Sequence, residues 1–202
     1  MVETSGWVQI TNENPDHSTW YVERFRKMAA AGNDLAGEAR LADAMAPRNA
    51  RILDAGCGPG RVGAFLASLG HQVVGVDVDP VLIAAAEQDH PGPTWIVGDL
   101  AELDLPAAGI AEPFDVIISA GNVMTFLAPS TRRAVLTAVG AHLAPAGRAV
   151  IGFGAGRGYT FEEFFEDVAA AGLAVQLKLS SWDVLPFEAD SGFLVAILCR
   201  DS

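Results

Sequence analysis

The chain has 202 residues, half of them hydrophobic, with 25 acidic against 13 basic side chains and a formal net charge of −12. That length supports one well-buried core, read as a single domain with an N-terminal extension. The basic residues are scattered apart from Arg24, Arg26 and Lys27 and the pair Arg132 and Arg133, so nucleic acid and anionic membrane surfaces are disfavoured as partners. Cys57 and Cys199 make neither a disulfide framework nor a metal-ligand set and fit reduced thiols in the cytoplasm. No apolar run reaches the ~18–20 residues of a membrane span, and residues 1–14 lack the basic-then-apolar order of a signal peptide. A soluble cytoplasmic protein is expected.

Near the start, Trp20, Tyr21, Phe25 and Met28 fall on one side of a predicted helix, and Leu35, Leu41 and Met45 belong to a second. Pro47-Arg48-Asn49 joins this helical cap, residues 1–47, to an α/β core over 48–202. Four runs, Arg51–Ala55, Gln72–Val76, Thr94–Val97 and Phe114–Ser119, are rich in apolar residues without alternation, as strands covered on both faces should be. Between the first two, Arg61–Leu69 has helical spacing and stops at Gly70. Pro80 opens the next helix in the first-turn position that suits proline, with Asp79 as its N-cap. A helix over Ser130–Leu143 and a strand over Arg148–Phe153 continue the alternation, which points to parallel pairing with right-handed crossovers. Phe161–Ala171 reads as a helix ended by Gly172. Then Val175, Leu177 and Leu179 alternate with polar residues, whereas Phe193–Cys199 is continuously apolar and reads as central. Their connection, Asp183–Gly192, has no room for a crossover helix, so an antiparallel hairpin closes the sheet.

The chemistry gathers at one edge of this sheet. Open parallel sheets bind ligands beyond the carboxyl ends of their strands, where strand order reverses. Asp54 ends the first strand, Asp77 the second, Asp99 follows the third, and Ser119-Ala120-Gly121-Asn122 follows the fourth. Several such residues at one edge make a pocket the economical reading. The glycine loop between Asp54 and Arg61 is ambiguous on its own. Gly58, Gly60 and Gly63 satisfy the dinucleotide pattern G-x-G-x-x-G, and Asp77 lies 19 residues after Gly58, near the spacing of a ribose-binding acid. An NAD(P)-binding oxidoreductase is therefore a competitor. Against it stand the negative charge of Asp54 just before the loop, the wide alternate-glycine form of Gly56, Gly58 and Gly60, and the closing hairpin.

Taken together and in order, Ile52–Gly60, Val73–Pro80, Trp95–Leu100 and Phe114–Asn122 resemble the core of a class I S-adenosylmethionine-dependent methyltransferase, over about residues 48 to 200. The resemblance implies a Rossmann-like three-layer αβα sandwich with a mostly parallel seven-stranded sheet, order 3-2-1-4-5-7-6 and strand 7 antiparallel. It also implies S-adenosyl-L-methionine as cofactor. Gly56, Gly58 and Gly60 would line its methionine part, Asp54 would support the loop and the amino group, and Asp77 would accept from both ribose hydroxyls. Val78 would pack on adenine, with Asp99 accepting from its amine and Leu100 alongside. Backbone from Ser119 and Ala120 to Asn122 would hold the methionine end. Acidic walls suit a ligand carrying a sulfonium and an ammonium against one carboxylate.

Methyl transfer to an acceptor heteroatom needs alignment and exclusion of water more than a dedicated base, and no catalytic residue is assigned. His17, Trp20, Tyr21, Asn122 and Phe126 are the candidates for the acceptor side, His17 also as a base. Each has a plainer reading: a loop histidine, a core-facing aromatic stripe, a turn asparagine. The histidines sit in turns or at helix ends, so no metal is expected. The glycine-rich Gly152–Gly158, with Arg157, reads as a mobile loop at the same edge. The acidity, and the lack of a large added recognition domain, point to a small-molecule acceptor. A module that binds the same cofactor without catalysis remains the other alternative.

Overall fold

A computed structural model describes residues 2–201. Three helices, α1 (Gly6–Glu13), α2 (His17–Ala30) and α3 (Gly37–Met45), lead into β1 (Arg51–Ala55), α4 (Arg61–Ser68), β2 (Gln72–Asp77), α5 (Pro80–Asp89) and β3 (Thr94–Val97). There follow β4 (Phe114–Ser119), the single-turn α6 (Val123–Phe126), α7 (Arg132–His142), β5 (Leu143–Gly154), α8 (Phe161–Ala170), β6 (Leu173–Leu179) and β7 (Phe193–Arg200). The strands form one seven-stranded sheet in the order β3-β2-β1-β4-β5-β7-β6. β1 to β5 pair in parallel, and β7 runs antiparallel between β5 and β6, as the short β6–β7 connection requires.

Successive residues of a strand face opposite sides, and β1 shows the consequence. Leu53 packs on one side with Val76, Ile117 and Ile151, beneath Leu136 of α7 and Phe164 of α8. Its neighbour Ile52 packs on the other with Val116, Ile118 and Val150, beneath Leu66 of α4 and Ala39 and Ala42 of α3. Each fully buried Leu or Ile contributes about 1.5–3 kcal/mol relative to exposure, so burial on both faces makes the sheet centre the strongest part of the fold. β3 departs from the expectation of two covered faces: it is an edge strand, and Val97 is 51% exposed.

Helix ends follow local chemistry. Asp79 caps α5 ahead of Pro80, and Thr160 and Glu163 form a reciprocal capping box on α8, a device typically worth about 1 kcal/mol. Elsewhere boundaries move. β5 begins at Leu143 rather than Arg148, with a register shift across the segment that holds Pro145 and Gly147. α7 starts at Arg132 after one 3-10 turn, Pro129–Thr131. α1 lies where no helix was expected; the Ser5 hydroxyl accepts from the Val8 N–H at its start. On α2 the inward residues are Ser18 and Val22, flanked by Tyr21 and Phe25, because the helix rests on Leu82 and Ala85 of α5. Trp20 is turned away and 55% exposed. No helix among the described residues is long and apolar enough to cross a membrane.

Candidate active site

Strand order reverses between β1 and β4, and a cavity opens there beyond the carboxyl ends of β1 to β4, roofed by α1 and α2. β1 delivers Asp54, Gly56, Cys57 and Gly58 to its wall, and β2 delivers Asp77 and Val78. From beyond β3 come Gly98, Asp99 and Leu100; from beyond β4, Ala120, Gly121, Val123 and Phe126. The roof supplies Ser5, Trp7, Tyr21 and Phe25.

Backbone geometry explains the loop after β1. Gly56 has φ +83°, and a Cβ there would overlap the Val123 methyls, so only glycine lets the β1 and β4 ends approach. Gly60, expected at the ligand, does not line the cavity. A Cβ on it would stand 2.9 Å from both Ala86 and Trp95, and one on Gly63 would stand 2.9 Å from Trp95. Two of the three glycines of the dinucleotide-like pattern are thus occupied by packing of the Trp95 ring.

The carboxyl groups are held by backbone donors. Asp54, 2% exposed, accepts from the Gly63 N–H of α4 at 2.9 Å. Burial, with Asp77 and Glu38 nearby, pushes its carboxyl up to about 7 against the opposing pull of that bond and of Arg61. Asp77 accepts from the Gly58 N–H at 2.8 Å and the Asp79 N–H at 3.0 Å, yet burial raises it to about 6, with Asp79 adding to the rise. Asp99 accepts from the Ala101 N–H at 2.9 Å as the cap of a 3-10 turn, so the plain turn role coexists with its place in the wall. Burial beside Asp54 and Asp77 also lifts the Cys57 thiol well above its usual range. Arg61, the cation of the wall, is paired with Glu38 and bonded to the Leu35 carbonyl at 2.7 Å. The ionised forms of these carboxyls favour a ligand with positive charge and hydroxyl donors and would repel a pyrophosphate, and burial of Asp54 and Asp77 makes a cationic partner count for more there.

The other sequence candidates stand at or behind the walls. Ser119 is 1% exposed, its hydroxyl buried without a partner among the described residues, while Ala120 reaches the cavity. Asn122 adopts φ +65° and its Oδ1 accepts from the Gly154 N–H at 2.8 Å, which fixes β5 beside β4 rather than facing the cavity. His17 stacks edge-on against Trp7 with centroids 5.1 Å apart, outside the lining, and Trp20 lies on the outer surface beside Arg24. Tyr21 and Phe126 do line it. Of the segment expected as a loop, Gly152–Gly154 instead belongs to β5 and pairs with β7, and the remainder is tied at its end, where the Gly158 carbonyl accepts from Arg132 at 2.6 Å. Sequence reasoning missed Trp7. A signal existed: Ser5 as a cap and Pro15 as a stop bracket a helix-length segment.

Comparison with known proteins agrees with this geometry. A family model described as a methyltransferase domain matches residues 52–147. The crystal structure of a TehB-like SAM-dependent methyltransferase from Corynebacterium glutamicum is 52% identical, covers 93% of this chain and 100% of its own, and superposes with a TM-score of 0.87. A magnesium-protoporphyrin O-methyltransferase from Rhodobacter capsulatus is 31% identical over 145 residues; the alignment spans 68% of this chain and 58% of that relative. The fold is also that of the magnesium protoporphyrin IX methyltransferase from Synechocystis, solved with bound SAM, at 20% identity and a TM-score of 0.61, over 81% of this chain and 76% of that one. The chain belongs to the class I S-adenosylmethionine-dependent methyltransferase family.

Proposed function

We propose that this protein transfers a methyl group from S-adenosyl-L-methionine to a small-molecule acceptor. The observation that carries the reading is the pair Asp54 and Asp77, one behind the glycine loop and one at the end of β2, both held above the usual carboxylate range in a cavity roofed by aromatic rings. When bound, the cofactor supplies an electrophilic methyl on a sulfonium. Asp77 uses one lone pair of each oxygen on Gly58 and Asp79, which leaves the others for the ribose hydroxyls. Val78 and Leu100 would flank the adenine, and Asp99 would accept from its amine. Asp54 holds the loop through Gly63 and adds negative potential near the methionine ammonium. Trp7, Tyr21 and Phe126 exclude water and border the acceptor, and alignment at near-attack distance supplies the rate, up to roughly 7–11 kcal/mol for ideal geometry. The place of His17, behind Trp7, does not support a role as base.

Small-molecule acceptors are favoured by the cavity beneath α1 and α2, by the acidity of the chain and by the substrates named for proteins of the same fold, such as the 1,6-didemethyltoxoflavin N1-methyltransferase of Burkholderia thailandensis. Calorimetric titration with S-adenosylhomocysteine and with NAD(H) tests the cofactor. Binding of the first and not the second is expected; the reverse would return the oxidoreductase reading. Methyl transfer to a panel of thiols, amines and hydroxylated metabolites then separates an enzyme from a module that only binds.

A further inference from the structure

Asp79 does more than cap α5. Its Oδ1 accepts from the Val81 N–H at 2.8 Å, the capping bond. Its Oδ2 accepts from the Trp7 indole Nε1–H at 2.8 Å and from the Ser18 hydroxyl, donors 72 and 61 residues away on α1 and α2. Its backbone N–H, meanwhile, donates to Asp77 Oδ1 at 3.0 Å. One turn therefore presents a carboxyl to the cavity floor and, two residues later, a carboxyl to the roof. Asp79 is 5% exposed, so these charge-assisted bonds form away from bulk water.

Trp7 is what the second carboxyl fixes. Its ring lines the cavity and meets Tyr21 and Phe126 edge-on, with centroids 5.2 and 5.6 Å away. α1 has eight residues, none of them fully buried, and a helix of that length has little stability alone. Among the described residues, α1 is tied to the rest of the molecule mainly through Trp7, by its bond to Asp79 and its ring contacts with His17, Tyr21 and Phe126, while just ahead of the helix Glu3 accepts from the Ser130 hydroxyl.

We propose that Asp79 is a positioning residue: it seats Trp7 over the cavity and joins that seating to the turn that carries Asp77, so the acceptor wall is built on the same turn as the cofactor floor. The catalytic meaning of this link rests on the methyltransferase reading; the link itself does not. A residue that merely capped α5 would tolerate Asp79→Asn, because asparagine caps as well as aspartate. Positioning Trp7 is different, since the amide can keep its oxygen on Val81 only by turning its NH2 toward the indole N–H, donor against donor.

The test uses the full-length protein labelled with 15N. The Trp7 indole N–H signal is assigned by its disappearance in Trp7→Phe, then followed in Asp79→Asn without ligand, and the dissociation rate of S-adenosylhomocysteine is measured in all variants. Expected are an upfield shift of that signal, at least tenfold faster solvent exchange of it, and severalfold faster dissociation in Asp79→Asn. In the double variant, Asp79→Asn should add less than twofold to Trp7→Phe, because both break one link. An unmoved indole signal, or effects on dissociation that multiply, would overturn the proposal. Failure of the unaltered protein to bind S-adenosylhomocysteine would sink the methyltransferase reading and the catalytic meaning with it, while the ligand-free indole measurement would still decide whether Asp79 holds Trp7.

Discussion

The floor and the roof of the cavity are held by different means. In the floor, Asp54, Asp77 and Asp99, at or just past the ends of strands, are fixed by backbone N–H groups of α4, the glycine loop and a 3-10 turn, 9, 19 and 2 residues away. In the roof, Trp7 and Ser18 reach Asp79 across 72 and 61 residues by side chains alone. A floor tied to the core opens only with the core, whereas a roof with few buried contacts opens at lower cost, as the exchange of a ligand requires.

The severest way to break the floor is Gly56→Val. It combines a left-handed backbone angle with overlap against Val123. Loss of detectable S-adenosylhomocysteine binding and a lowered melting temperature are expected, and a variant that binds normally would refute the close approach of the two strand ends. Asp77→Ala is the next largest: affinity should weaken by about 1–3 kcal/mol through lost charge-assisted bonds, and an unchanged Kd by calorimetry would remove Asp77 from the site.

Acidity sharpens the contrast further. The ionised forms of Asp54 and Asp77 suit the ammonium-bearing ligand, and their carboxyls stand near about 7 and about 6 in the free protein. Affinity should therefore fall as pH drops through that window, at most about tenfold per unit for each group. For stability the sign is opposite. Folded pKa values raised above the unfolded ones make these two groups most favourable to the ligand-free fold when protonated, a contribution lost as pH rises from about 4 to 7. Titrations at pH 5.5 and 8 check the first part, and a flat affinity would contradict the cause assigned to the shifts. The smallest effect belongs to Trp20→Ala, on the outer side of the roof, where stability should change by no more than about 0.5 kcal/mol. A large loss of cofactor binding there would restore Trp20 to the site.

Trp7 and Trp20 show where sequence reading succeeds and stops. Both are aromatic residues of the N-terminal helical cap, and helical spacing selected Trp20 with Tyr21 and Phe25. Periodicity gives the composition of a stripe but not its angular setting, and here α2 rests with Val22 on Leu82 and Ala85 and with Ser18 on Asp79, which leaves Trp20 facing solvent. Gly60 teaches the same lesson at closer range. Its need for a bare backbone was legible, but which neighbour demanded it was not, since Trp95 lies 35 residues further along the chain.

The sheet order came only with the family resemblance; the strand–helix alternation, the closing hairpin and the carboxyls at one edge were legible in the residues themselves. These follow from apolar runs, short connections and capping residues, which act between near neighbours. Tertiary structure alone decided which side chains face the cavity: that Trp7 enters it, that Asn122 turns to Gly154, and that Gly60 serves Trp95. Those outcomes depend on partners brought together only when the layers pack, because a side chain's direction is set by the contacts it finds there.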